Sequence, residues 1–138
     1  NSCKSMENKQ MILIDTGVFF DYFEKDEVIC QELDDIGFEN ILISSVSVAE
    51  VYFGMRSKEA RKIKELIKKF NIYHLDKEVS IRFLELMLAH IDKRIAIPDA
   101  LIASIALSAN VKLYTLNRKD FNYIDGIKLY NPKNKVKK

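Results

Sequence analysis

The stretch Met11-Ile12-Leu13-Ile14-Asp15-Thr16-Gly17 decides the fold class. Its apolar run is too short for a core helix and lacks the alternation of a half-exposed strand. A short run of this kind, closed by an acid, reads as a strand buried on both faces, the habit of parallel sheets. Thr16 and Gly17 read as a turn. After them Val18, Phe19, Tyr22 and Phe23 recur at helical spacing. The opening unit is therefore strand, turn, helix.

The alternation continues outward from there. Asp26 caps a second helix, with Val28, Ile29, Leu33 and Ile36 as its apolar face and Gly37 as its stop. Ile41-Leu42-Ile43 is a second buried strand. Ser44 and Ser45 begin a helix that runs through Val46, Val48, Val51, Tyr52 and Met55, and a charged helix follows with Ile63, Leu66, Ile67 and Phe70 inside. Ile72-Tyr73-His74-Leu75 reads as a third strand. Asp76 caps the next helix, with Val79, Phe83, Leu86, Met87 and His90 near helical spacing. The segment Ile97 to Leu107 is apolar nearly all round, as a helix inside a core must be. Its first turn holds Pro98 and Asp99, which suit any helix start. Val111 to Tyr114 is a fourth strand and Ile127 to Tyr130 a fifth.

Strands alternating with helices predict one α/β domain: a three-layer α/β/α sandwich around a central parallel sheet, with right-handed crossovers. It spans residues 11–131. Residues 1–10 form a polar extension and 132–138 a basic tail. The length of 138 residues suits a single core. Apolar residues make up 48% and charged residues 30%, which places the chain among globular proteins. No apolar run could span a bilayer and no signal-peptide pattern opens the chain, so a cytoplasmic protein is expected. Cys3 and Cys30 make no disulfide framework. A net charge of +2 excludes a strongly basic nucleic-acid coat. The basic cluster from Arg56 to Lys69 reads first as a solvated helix face and second as a phosphate-binding surface.

In parallel sheets, sites form beyond the carboxyl ends of the strands. Asp15 ends the first strand, Asn117 and Asp120 follow the fourth, and Asp99 opens the buried helix that leads into it. Glu50 lies on the helix after the second strand, at helical spacing with Val46 and Phe53. Each has a local alternative. Asp15 suits a helix cap, Glu50 a capping box with Ser47, and Asn117 and Asp120 a turn. Together they point to one sheet edge. Crowded carboxylates repel, and a divalent cation removes the conflict. Oxygen-only ligands suit Mg²⁺ or Mn²⁺. His74 and His90 stand apart from the set and read as core-edge residues. Acids around such a cation are a phosphoryl-transfer arrangement, with a carboxylate free to take the proton of an attacking water.

These residues resemble the PIN-domain ribonucleases, and among them the VapC-type toxins of toxin–antitoxin pairs. Four stretches carry the resemblance. Met11 to Phe19 is similar to the opening motif, with Asp15 as first acid. Ile43 to Gly54 is similar to the second, with Glu50. Pro98 to Ala103 is similar to the third, with Asp99. Tyr114-Thr115-Leu116-Asn117-Arg118-Lys119-Asp120-Phe121 is similar to the closing motif. Asn117 stands where many relatives carry an acid, so Asp120 or Asn117 completes the set.

The resemblance implies a Mg²⁺- or Mn²⁺-dependent endoribonuclease, a homodimer, and a small antitoxin protein that blocks the site. In that reading Asp15, Glu50, Asp99 and Asp120 are catalytic and bind metal, with Asn117 a further ligand. Thr115 orients water or phosphate, and Arg56, Arg94, Arg118 or Lys119 hold RNA phosphates. Phe19, Phe20, Tyr22 and Phe23, and likewise Tyr52, Phe53 and Met55, are either buried or an interface.

A PIN-like RNA- or protein-binding module without activity is the alternative that Asn117 raises. A haloacid-dehalogenase-type phosphatase wants a second Asp where Gly17 stands. A receiver domain wants an acid where Ile14 stands.

Overall fold

The computed structural model describes residues 10–134; residues 1–9 and 135–138, with Cys3 and most of the basic tail, lie outside the described residues. In chain order the elements are β1 (Ile12–Ile14), α1 (Thr16–Phe23), α2 (Glu27–Ile36), β2 (Ile41–Ser44), α3 (Ser45–Gly54), α4 (Ala60–Ile67), β3 (Asn71–Tyr73), α5 (Lys77–Ala89), α6 (Ile97–Ala109) and β4 (Lys112–Tyr114). Short 3₁₀ turns join several of them. The strands pair in the order β3-β2-β1-β4, all parallel, with Leu13 level with Leu42 and Leu113.

The period of two in a strand divides the core into two layers. Ile12, Ile14, Ile41 and Ile43 face one cluster, with Phe19, Leu33 and Ile63. Leu13 and Leu113 face the other, with Val79, Ile102 and Ile105. The three-layer α/β/α sandwich is thus the observed architecture. Caps set the helix starts, each stabilising by about 1 kcal/mol. Asp26 accepts the Ile29 N–H at 3.0 Å, Ser44 that of Ser47 at 3.0 Å, and Asp76 that of Val79 at 2.9 Å.

Three expectations change. Thr16 and Gly17 are the first turn of α1, because the Asp15 carboxylate accepts the Thr16 N–H at 2.8 Å and starts the helix at once. The third strand lies at 71–73, and His74 and Leu75 are exposed beyond it. The fifth strand shrinks to one parallel bridge, Leu113 to Leu129. Ile127 N–H is spent on the Ile124 carbonyl, and after Tyr130 the chain is drawn towards α2. Only Lys128 to Tyr130 remain free to pair.

The aromatic face of α1 is core: Phe19 is fully buried edge-on to Phe70, and Phe20, Tyr22 and Phe23 pack around that cluster. Phe53 behaves differently, 94% exposed beside the half-exposed Tyr52. Among the described residues no helix is long and apolar enough to cross a membrane.

Candidate active site

The chain leaves β1 towards β2 and β3 on one side and returns to β4 on the other. Between β1 and β4 the direction of winding reverses, and in such sheets a crevice forms at the carboxyl ends flanking that point. Asp15 and Thr115 are the residues that follow these two strands. The Asp15 N–H donates to the Tyr114 carbonyl at 2.9 Å, continuing the ladder by one step. Beyond it the Thr115 hydroxyl donates to Asp15 Oδ2 at 2.9 Å, while Oδ1 takes the Thr16 N–H. Thr115 Oγ1 in turn accepts the Asn117 N–H at 3.0 Å. A buried threonine thereby fixes the first carboxylate and the start of the closing loop together.

Glu50 enters from α3. The cap of that helix is Ser44, so Glu50 is released from the capping box that its spacing to Ser47 suggests. Its Oε1 accepts the Thr16 hydroxyl at 2.6 Å, and the same hydroxyl lies 2.8 Å from Ser47 Oγ. Thr16 links the two acids: its N–H holds Asp15 and its hydroxyl holds Glu50. Asp99 sits half-buried in the first turn of α6, after Pro98. Asp120 is exposed on the 3₁₀ turn Arg118–Asp120 and lines an open cleft with Asp99, Lys93, Arg94, Lys119 and Tyr123.

Asp15 and Asp99 each feel the charges of the other acids. Burial raises the Asp15 carboxyl above its usual value of 3.8; hydrogen bonds from Thr115 and Thr16 oppose the rise, and Glu50 and Asp120 add to it. Asp99 is pushed up to about 6, first by burial and then by the charges of Asp15, Asp120 and Glu50. Among the described residues none of the four is in an ion pair. The cations nearest Asp99 and Asp120, Lys93, Arg94 and Lys119, line the same cleft without forming an ion pair with either acid among the described residues.

Among the described residues no three His, Cys, Asp or Glu side chains stand ready around one cation position. Both Asp15 oxygens and Glu50 Oε1 accept hydrogen bonds from the protein's own donors. Each such oxygen keeps a second lone pair. An oxygen-only set of carboxylates fits a hard divalent cation.

The remaining sequence expectations fall in different places. Arg94, in the left-handed conformation (φ 53°), and Lys119 line the cleft. Arg56 is exposed after α3, its N–H donating to Glu59, and is absent from the cleft lining. Arg118 turns to the carboxyl-terminal segment, donating to the Tyr130 carbonyl at 2.9 Å and to Asn131 Oδ1 at 3.1 Å. The Thr115 hydroxyl is committed to Asp15 and Asn117 rather than open to a ligand. Asn117 joins through its N–H. His90 binds the Leu86 carbonyl through Nδ1 and packs on Tyr123, whereas His74 is exposed. Sequence reasoning missed Thr16 as the holder of Glu50. The available signal was a hydroxyl residue directly after the first acid.

With this geometry in view, comparison with known proteins is specific. Residues 12–127 match the family model of the PIN domain. Ribonuclease VapC1 of Methanocaldococcus jannaschii is 30% identical over 134 residues, covering 93% of each chain. Among solved structures, the toxin–antitoxin complex from Klebsiella pneumoniae is similar at a TM-score of 0.71 and 26% identity, over 84% of this chain and 94% of that one. The VapBC2 complex of Rickettsia felis, bound to a fragment of its promoter DNA, gives a TM-score of 0.78 at 25% identity, over 88% and 98%.

Proposed function

This chain belongs to the PIN-domain family, and on that premise we propose that it is a metal-dependent endoribonuclease, the toxin of a toxin–antitoxin pair. The observation that carries the reading is the convergence of Asp15, Glu50, Asp99 and Asp120 on the β1–β4 crevice, with Asp99 raised to about 6 by burial and by the other three. Asp15, Glu50 and Asp99 would hold Mg²⁺ or Mn²⁺, with Asp120 or Asn117 completing the set. Such a cation would supply charge neutralisation at the scissile phosphate and would lower the pKa of a bound water.

The chain's own residues prepare that chemistry. Thr115 and Thr16 hold the Asp15 and Glu50 carboxylates and fix their orientation at the strand ends. Arg94 and Lys119, on the cleft wall beside Asp99 and Asp120, fix the phosphates of the RNA strand. An acid of the set takes the proton of the attacking water. The named relatives support the partner: a small antitoxin that covers the site, with the exposed Phe53 and Tyr52 as apolar contacts. The toxin itself works as a homodimer in the cytoplasm.

Cleavage of RNA by the purified chain, with Mg²⁺ or Mn²⁺ and with chelator, tests the proposal. Activity is expected with either cation and is lost in Asp15→Asn with the fold retained. Cleavage at parental rate by that variant sinks the assignment. RNA binding without cleavage at any metal concentration points to the inactive binding module instead.

A further inference from the structure

Glu32 has no part in the site, yet it is among the most deeply buried charged groups of the chain. It sits at 0% exposure on α2, among Ile29, Leu33 and Ile36, where a carboxylate costs free energy unless fully hydrogen-bonded. Among the described residues its bonds all come from the carboxyl-terminal segment. Tyr130 Oη and the Lys133 N–H donate to Oε2, and the Asn134 N–H and Nδ2 donate to Oε1 at 2.8 and 2.7 Å. Burial raises the Glu32 carboxyl, but these donors outweigh it and hold the group below its usual range. The segment is also fixed to β4, where the Tyr130 N–H donates to the Leu113 carbonyl at 2.8 Å and the Tyr130 ring packs 5.0 Å from that of Tyr114.

Arg118 is the other end of this assembly. Its guanidinium reaches the Tyr130 carbonyl and the Asn131 side chain with two different nitrogens. A planar fork bound at two points fixes direction as well as distance. Arg118 also opens the one-turn 3₁₀ helix that ends in Asp120, and its carbonyl accepts the Phe121 and Asn122 N–H groups. A single 3₁₀ turn has few bonds of its own. Three contacts hold this one: Thr115 on one side through the Asn117 N–H, Arg118 on the other, and the buried side chain of Phe121 behind it.

We propose that Arg118 is a positioning residue for Asp120, and that buried Glu32 is the anchor it works through, by way of Tyr130 and Asn131. The carboxyl-terminal segment is then a strap that holds the fourth acid towards Asp15 and Asp99, and Arg118 is not an RNA contact. The proposal rests on the nuclease reading for its effect on activity, but not for the coupling itself.

Arg118→Lys and Glu32→Gln test it, with amide exchange as the reading that needs no activity. In the metal-free protein both variants are expected to speed exchange at Asp120, Phe121 and Asn122 about tenfold or more, while amides of β1 and β2 keep their protection. Unchanged exchange at that turn overturns the coupling, whether or not the parent cleaves RNA. Loss of protection in β1 and β2 as well overturns it in favour of a global structural role. With Mn²⁺ and RNA, Arg118→Lys is expected to lower metal affinity and kcat about tenfold or more with KM little changed. A raised KM with intact kcat, and a salt dependence shallower by about one charge, overturns it by making Arg118 a phosphate contact. A parent that neither binds Mn²⁺ nor cleaves refutes the nuclease reading and leaves the exchange result to decide the coupling.

Discussion

Asp99→Asn should make the metal-free protein more stable at neutral pH. Burial and the charges of Asp15, Asp120 and Glu50 move the Asp99 carboxyl from 3.8 to about 6. If that displacement were wholly electrostatic, ionised Asp99 would cost the folded state about 3 kcal/mol. The side chain is half-exposed, so solvent screening reduces this to about 1–2 kcal/mol. An acid in the first turn of a helix also gains about 0.5 kcal/mol from the helix dipole, which Asn gives up. The net gain is about 1 kcal/mol, or about 3–4 °C in Tm for a domain of this size. The sign follows from linkage. A carboxyl raised in the folded state binds more protons there than in the unfolded chain, so stability is retained below 3.8 and lost as pH rises from 3.8 through about 6. The advantage of Asp99→Asn is therefore expected at pH 7.5 and absent near pH 3.5. Urea melts in chelator across that range measure it. A saturating divalent cation should reverse the order, since at about one hundred times Kd it stabilises the parent by about 2.7 kcal/mol. A variant less stable than the parent in chelator at pH 7.5, or a difference that ignores pH, refutes the crowded-acid account.

Two more outcomes are expected. Thr115→Val removes the donor to Asp15 and the acceptor of the Asn117 N–H, and should cost about 1–3 kcal/mol by urea denaturation at pH 7. It also raises the Asp15 carboxyl further, because the hydrogen bond that opposes the effect of burial is gone; a change under about 0.5 kcal/mol would show that the threonine does not hold the carboxylate. Phe53→Ser, at a side chain 94% exposed, should leave stability within about 0.5 kcal/mol. In a pull-down or titration with the antitoxin it should weaken binding about tenfold or more, and unchanged affinity would remove that face from the interface.

The periodic parts of the fold were legible. Runs such as Ile41-Leu42-Ile43 have few other homes, and Asp26 and Asp76 cap the helices they precede. The four acids can be grouped in the sequence because a parallel sheet leaves one edge on which they can meet. What failed were bonds to partners remote in the chain, and one local cap that reads as a turn. Thr16 looked like a turn residue because Thr-Gly is good turn chemistry, and only the cap from its neighbour makes it helical. Residues 127–130 carry a strand pattern, but pairing there competes with a turn before it and with Glu32 after it. Glu32 did leave a trace, an acid on the 29-33-36 stripe of α2, though its donors lie about a hundred residues on. Arg118 beside acids invited a phosphate reading, and its main acceptor is a carbonyl that no sequence pattern announces.

The apolar body of α6 and the charge at its tip are one device. Four acids at a single crevice are mutually destabilising, and the helix that carries one of them would fray at that end if loosely held. Ala100, Ile102, Ala103, Ile105 and Ala106 are all buried, and Ser104 is satisfied inside the helix by the Ala100 carbonyl at 2.7 Å. Burial at about 25 cal/mol per Å² of apolar surface supplies several kcal/mol from these side chains, more than the repulsion at Asp99 removes. Pro98 starts the helix without an N–H to lose. The first turn can then carry an ill-placed charge because the turns after it cannot leave. Asp120 has no such helix behind it. It stands on one 3₁₀ turn, and for that reason its placement falls to Thr115, Arg118 and a strap tied to a buried glutamate on the far side of the sheet.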